Sequence, residues 1–268
     1  MHAILQIDLP GRRITLATAL CCGLLGAARV DAQQPLETET ARLPARGAVL
    51  VSPEYEFQTS SQGTEHALPF ALEVGVTDRL ALLVEPVFYT SIRPKTGPSA
   101  SGAGDLEVTL QYLALRETAS RPAVAFAAEV KVPTARNTLI GTRRTDFTPY
   151  LIASKRFRQF DLHGNVGYSF VGRPAGLVVQ NTLNLALGLE DHVTPRVDLV
   201  AEVLSTTAAA GSDAGESSLT APEIAGAEQV GMLGMRLAVR PRLWLSLGVT
   251  YDNTNALLLR PGFTFELP

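Results

Sequence analysis

The stretch "GDLEVTLQYLALRE", residues 104–117, alternates apolar and polar side chains one residue at a time. In an extended chain Leu106, Val108, Leu110 and Tyr112 fall on one side, and Asp105, Glu107, Thr109 and Gln111 on the other. A period of two is the mark of a strand with two unlike faces, and a helix does not sort these residues that way. The same pattern recurs along most of the chain, and this recurrence narrows the fold more than any other feature.

From Gly47 onward the sequence divides into segments of roughly ten residues separated by turn signals, with no convincing helical period between them. Strands are expected near 47–60, 66–77, 80–91, 104–115, 122–134, 146–157, 161–172, 180–190, 196–206, 227–239, 243–252 and 257–267, twelve in all. Their connections alternate in kind. "TDR", "RETASR", "RFRQFD", "DHVTPR" and "RPR" are short, whereas "RPKTGPSASGAG", "ARNTLIGTRRT" and "TTAAAGSDAGESSLTAPEIAG" are long. Only the opening loop, near 61–65, and the closing "DNTNA" are modest where a longer excursion is expected; otherwise one end of the sheet is tightly turned and the other carries the excursions, as in transmembrane β-barrels with short periplasmic turns and long external loops. An even strand number returns both ends of the sheet to the tight-turn side. The competing reading is a soluble periplasmic sandwich or calyx, whose strands also alternate but whose edge strands would break the rhythm. The expected fold class is therefore all-β, a single antiparallel transmembrane barrel over residues 47–268. Two echoes, "GVTDRLALLVEP" and "HVTPRVDLVAEV", reflect hairpin construction: a tight reversal followed by a strand restart.

Residues 1–32 have the order of a signal peptide: Arg12 and Arg13, then the apolar "ITLATALCCGLLGAA", then small residues before a cut after Ala32. Residues 33–46 are polar and contain proline, and are expected to form a flexible lead-in. Both cysteines, Cys21 and Cys22, fall in the leader, so the expected mature chain has neither a disulfide nor a thiol nucleophile. The net charge of -3 gives no field favouring nucleic acid. Aromatic residues make up 6% of the chain, sparse for a membrane barrel, although Phe57, Phe88, Tyr89, Phe157, Phe170 and Tyr251 sit near strand ends where an aromatic girdle belongs.

If the apolar faces meet lipid, the opposite faces line the interior. That assignment gathers Glu73, Glu85, Asp105, Glu107, Glu129, Lys131, Asp198, Glu202, Arg236, Arg260 and Glu266 in the lumen. Such groups either filter a solute through an open passage or pair with one another in a closed interior. Counting back from the turn at 116–121 brings Glu107 opposite residues 129–131. For catalysis the strongest arrangement is His163 beside Asp161, with Ser154 or Ser169 within reach, the start of a hydrolase constellation. The other mature-chain histidines, His66 and His192, are distant in sequence, and no metal-ligand spacing appears. "GPSASGAGD" at 97–105 precedes a strand rather than a helix, and "GSDAGESS" at 211–218 lacks the spacing of a calcium loop; both are expected to be surface loops. No catalytic residue, metal or cofactor is expected.

Five segments occur in a familiar order: "GAGDLEVTLQYLALRE", "AAEVKVPTA", "DFTPYLIASKRF", "LHGNVGYSFVG" and "NLALGLE". Together, over residues 70–267, they resemble the outer-membrane transporter family named for the meta-pathway of phenol degradation. Gly104 and Asp105 match that family's strand start, Lys131, Pro133 and Thr134 its Lys-x-Pro-Thr strand end, Ser154 and Lys155 its Ser-Lys pair, and Gly167 and Tyr168 its Gly-Tyr pair. Ala135 stands where the family often has Gly. The resemblance implies a Gram-negative outer-membrane barrel that passes a small aromatic or otherwise apolar compound. The expected partners are outer-membrane lipid and a small solute, with no nucleic acid, and the expected state is a monomer. A structural envelope barrel and a lipid-modifying barrel enzyme are the alternatives.

Overall fold

The computed structural model describes residues 34, 36–173, 179–209 and 227–267. The expected leader and the loop at 211–218 lie outside them. Fourteen strands form one sheet: β1 (Val49–Pro53), β2 (Glu56–Thr59), β3 (Gly63–Thr77), β4 (Leu80–Pro94), β5 (Ala100–Gly102), β6 (Leu106–Leu115), β7 (Ala123–Val132), β8 (Asp146–Phe157), β9 (Phe160–Ser169), β10 (Thr182–Thr194), β11 (Val197–Thr206), β12 (Glu228–Arg240), β13 (Leu243–Asp252) and β14 (Leu257–Leu267). The short strands β1 and β2 lie end to end between β3 and β14 and act as one wall strand interrupted at residues 54–55. Likewise β5 and β6 occupy successive parts of the strip beside β4. The wall is therefore a twelve-stranded antiparallel barrel.

Closure is made by the first and last strands, with Val49 opposite Leu267, Val51 opposite Phe265 and Phe57 opposite Leu259. Among the described residues the twelve wall strands close on one another and only the short β5 pairs on one side alone, so the wall satisfies its own backbone groups, as a lipid-embedded sheet must. The two-residue turns, at 78–79, 158–159, 195–196 and 241–242, lie at one end, and the three-residue turn 60–62 between β2 and β3 lies at the other. At two of the former Arg158 and Arg242 adopt positive φ, at 56° and 67°, which lets the chain reverse in two residues.

The faces follow the alternation. Leu110, Tyr112, Phe126, Leu183, Leu185, Leu187, Leu245 and Leu247 are exposed on the outer surface, while their neighbours Thr109, Gln111, Ala125, Ala127 and Trp244 are buried inside. An outer band of this kind suits a hydrocarbon environment. Phe88, Tyr89, Phe147, Tyr168, Phe170 and Tyr251 extend it towards the long-loop end, and Phe157 and Phe160 mark the short-turn end. The segment 97–105, expected to be a loop throughout, contains β5, which pairs Ala100, Ser101 and Gly102 with Ile92, Ser91 and Thr90. Its glycine at 102 takes φ 156°, and the strand is too short to show a period in the sequence.

Candidate functional site

The barrel interior has two levels. On the long-loop side lies a cavity of about 1050 Å³. Inward positions of β3, β4, β6 and β7 bring Glu73, Glu85, Glu107 and Glu129 to it, with Asp105 just before β6. Glu54 and Glu56 come from the interrupted first strand, and Asp146 from the start of β8. Among the described residues its basic lining is Lys131 and Arg260. Arg260 meets Glu37, Glu54 and Glu56. Lys131 pairs with Asp146 on β8 and stands opposite Glu107 on β6. The register of Glu107 thus matches the count from the turn, but the ion pair goes to the neighbour on the other side. The carboxylates far outnumber the cations that could neutralise them.

The lower level, towards the short turns, is filled. Of the eleven residues assigned to the lumen from sequence, Asp198, Glu202 and Arg236 lie here rather than at the cavity. Arg236 pairs with Glu190 and approaches Asp198 at 3.4 Å. His192 contacts Asp198 at 2.7 Å and Asp161 at 3.0 Å. Arg156 and Arg42 also converge on Asp161. Glu266 is half-buried opposite Leu50, on the same side of β14 as Arg260 but nearer the short-turn end.

What fills this level is the segment expected to be a loose lead-in. Thr38 and Ala41 have no exposure, and Leu36 and Thr40 are nearly as enclosed. Three successive backbone N–H groups, of Leu36, Glu37 and Thr38, donate to the Glu202 carboxylate at 3.0, 3.0 and 3.1 Å. Gln111 donates to the Thr40 carbonyl at 2.7 Å, Ala41 N–H donates to Ser154 at 2.8 Å, and Arg236 donates to the Gln34 carbonyl at 3.0 Å. The Asn165 amide, oriented to satisfy both its atoms, meets the backbone N–H and carbonyl of Glu39. Arg42 bridges Glu117 and Asp161 at 2.9 and 3.0 Å. Small patches of apolar contact complete the seat: Ala41 with Ala123, Ala125, Ala127 and Ile152, and Leu36 with Val200 and Met232. These partners lie far along the chain from the segment, so no local signal in residues 33–46 could have found them.

The hydrolase constellation is only partly assembled. Ser154 Oγ lies 2.8 Å from His163 Nδ1, but both side chains are buried, at 1% and 2% exposure. Asp161 is engaged by Arg42, Arg156 and His192, and among the described residues His163 Nε2 has no hydrogen-bond partner. The imidazole has no carboxylate behind it, and the serine oxygen already accepts the Ala41 N–H, so the pair serves as a support for the segment. Glu190, His192 and Asp198 have ligand atoms within 4.8 Å of one another. The Arg236 guanidinium already supplies a positive charge to both carboxylates, so the trio reads as part of an ion-pair network.

Residues 70–255 match the family described as "Putative MetA-pathway of phenol degradation". The chain belongs to that family. Among solved structures, the NanC porin shares the fold with a TM-score of 0.56 at 11% identity, the match covering 81% of this chain and 100% of that one. The KdgM porin matches with a TM-score of 0.52 at 10% identity, over 81% of this chain and 99% of that one. The KdgM porin in complex with disordered oligogalacturonate gives 0.52 at 9% identity, with the same coverage. At such identities the likeness is one of fold, a porin-type barrel. No curated protein sequence matches the chain significantly.

Proposed function

We propose that this member of the phenol-degradation family is a monomeric barrel of a Gram-negative outer membrane that passes a small solute, and that it favours cationic or neutral solutes over anions. The observation that carries this reading is the acid-rich cavity inside a wall whose outer face is apolar. Fixed carboxylates around a narrow aqueous space raise the local concentration of cations and repel anions, as rings of Asp and Glu do in cation channels. The oligogalacturonate of the KdgM complex is a polyanion. An acid-lined lumen opposes such a solute, so the shared fold does not bring that substrate with it. A small aromatic compound, in keeping with the family's description, fits if it is uncharged or carries an amine. The sealed Ser154–His163 pair weighs against a lipid-modifying enzyme, and a cavity of this size weighs against a purely structural barrel.

The test is the reversal potential of the purified protein in planar bilayers under a potassium chloride gradient. Cation selectivity is expected. Glu107→Gln combined with Glu129→Gln removes two charges from neighbouring strands and is expected to shift the reversal potential towards zero. Anion selectivity in the wild type, or failure of both the wild type and a folded variant lacking residues 34–42 to admit any ion or small solute into liposomes, sinks the reading.

A further inference from the structure

We propose that residues 36–46 are a resident plug that closes the lumen below the acidic cavity, and that solute passes only when this segment leaves its seat. The inference rests on the transport reading. Its geometric basis is the position of the segment: Leu36, Glu37 and Glu39 contribute to the cavity lining, so the segment forms part of the cavity's boundary. From there the chain follows the inner wall past Gly234 on β12, Gly188 on β10 and Ser154 on β8, then reaches Gly75 on β3.

The wall is shaped to receive it. A Cβ on Gly188 would lie 3.1 Å from Thr38 Cβ, one on Gly234 would lie 2.4 Å from Leu36 Cδ1, and one on Gly75 would lie 2.2 Å from the Ala45 carbonyl oxygen. These strand positions carry glycine where the segment passes: a Cβ at Gly75 would strike its backbone, one at Gly234 the end of the Leu36 side chain, and one at Gly188 would need Thr38 to shift by about a few tenths of an ångström. The wall also presents Glu202, Ser154, Gln111, Asn165 and Arg236 to the backbone of the segment. A backbone with no ladder of its own must find partners when buried, and here wall side chains supply them.

The same features permit release. Most of the contacts are hydrogen bonds between wall side chains and backbone, which water can replace, and the apolar patches are small. The tether to β1 runs through Gly47, which has φ 82° and open space around its Cα, a position able to absorb a change of backbone direction. Three N–H groups on one carboxylate form a concentrated latch at Glu202.

The experiment measures potassium chloride conductance in planar bilayers, with heat-modifiable gel mobility as proof of folding for each protein. Thr38→Cys with Gly188→Cys, in a background where Cys21 and Cys22 are serine, places two thiols where a few tenths of an ångström of adjustment gives disulfide geometry. The cross-link is expected to form, oxidised protein to lose the openings seen in the wild type, and a reductant to restore them. Deletion of residues 34–42 is expected to raise mean conductance about tenfold or more, and Glu202→Gln to raise the open fraction about tenfold. Failure of the cross-link to form in folded protein overturns the proposal. So does equal conductance in oxidised and reduced protein, or a folded deletion variant that conducts like the wild type; in these cases transport through the wild type still stands. If no variant conducts, the deletion included, the plug and the transport reading fall together.

Discussion

Val130 and Lys131 are adjacent in β7 and meet opposite surroundings. Lys131 turns inward to Asp146 and the acidic cavity, and Val130 has the parity of the exposed Phe126 on the outer face. A cation at the hydrocarbon midplane costs about 2–4 kcal/mol on a barrel's outer face, falling towards the interfaces. Val130→Arg is therefore expected to reduce membrane assembly, read as loss of heat-modifiable protein. Lys131→Glu should leave assembly intact and deepen cation selectivity, because it adds a charge of the sign already prevailing there. The reverse pattern would mean the faces are exchanged. At this scale the sequence is informative wherever side chains alternate, since parity alone sends Glu73, Glu85, Glu107 and Glu129 to one side. It is uninformative about which inward charges meet. The choice of Asp146 over Glu107 by Lys131 depends on two strand registers, and the descent of Arg236 onto Glu190 depends on strands more than forty residues apart.

Among the elements, the short turns and the inner segment depend on one another. Glu117, in the connection between β6 and β7, receives Lys155 at 2.9 Å, the Arg156 N–H at 2.7 Å and Arg42 at 2.9 Å. Burial alone would raise its pKa, but these hydrogen bonds outweigh it and hold the carboxyl below the usual glutamate range. A carboxyl whose folded pKa is depressed contributes stability that is present above its unfolded pKa and is lost as pH falls through the folded value. The heat-modification midpoint of the wild type is thus expected to exceed that of Glu117→Gln at neutral pH. The gap should close below the ordinary carboxylate range, about pH 4. A gap that persists or widens in acid would remove Glu117 as an ionic anchor. The long strands were legible from their period and from turn residues between them. The break at residues 54–55 and the three-residue β5 were not, because a pairing so short leaves no period. The enclosed course of residues 36–44 was hidden for a different reason. Its polar composition reads as a solvated lead-in, and only a wall assembled from distant strands gives those polar groups partners.

For the whole molecule, closure is the condition on which everything else depends. The first wall strand is paired on both sides at Val51, with Leu72 on β3 and Phe265 on β14. Proline there removes an N–H from a position flanked by strands on both sides and sets its ring against the ladder. In water a gap in a sheet can be solvated, but in the bilayer an unsatisfied backbone group costs several kcal/mol. The defect also falls at the seam, where β1 and β2 are already short and interrupted, so few neighbouring bonds remain to hold β14 in register. Val51→Pro is expected to abolish the heat-modifiable form and leave the chain sensitive to added protease. The effect should be all-or-none, because opening the seam exposes two edges at once along the full height of the wall. The seam also carries Glu54, Glu56 and Arg260, the group through which the wall holds Glu37 of the inner segment. A folded, protease-resistant Val51→Pro barrel would mean that β14 and β3 can close without β1. The seat of the inner segment would then have to be independent of the seam.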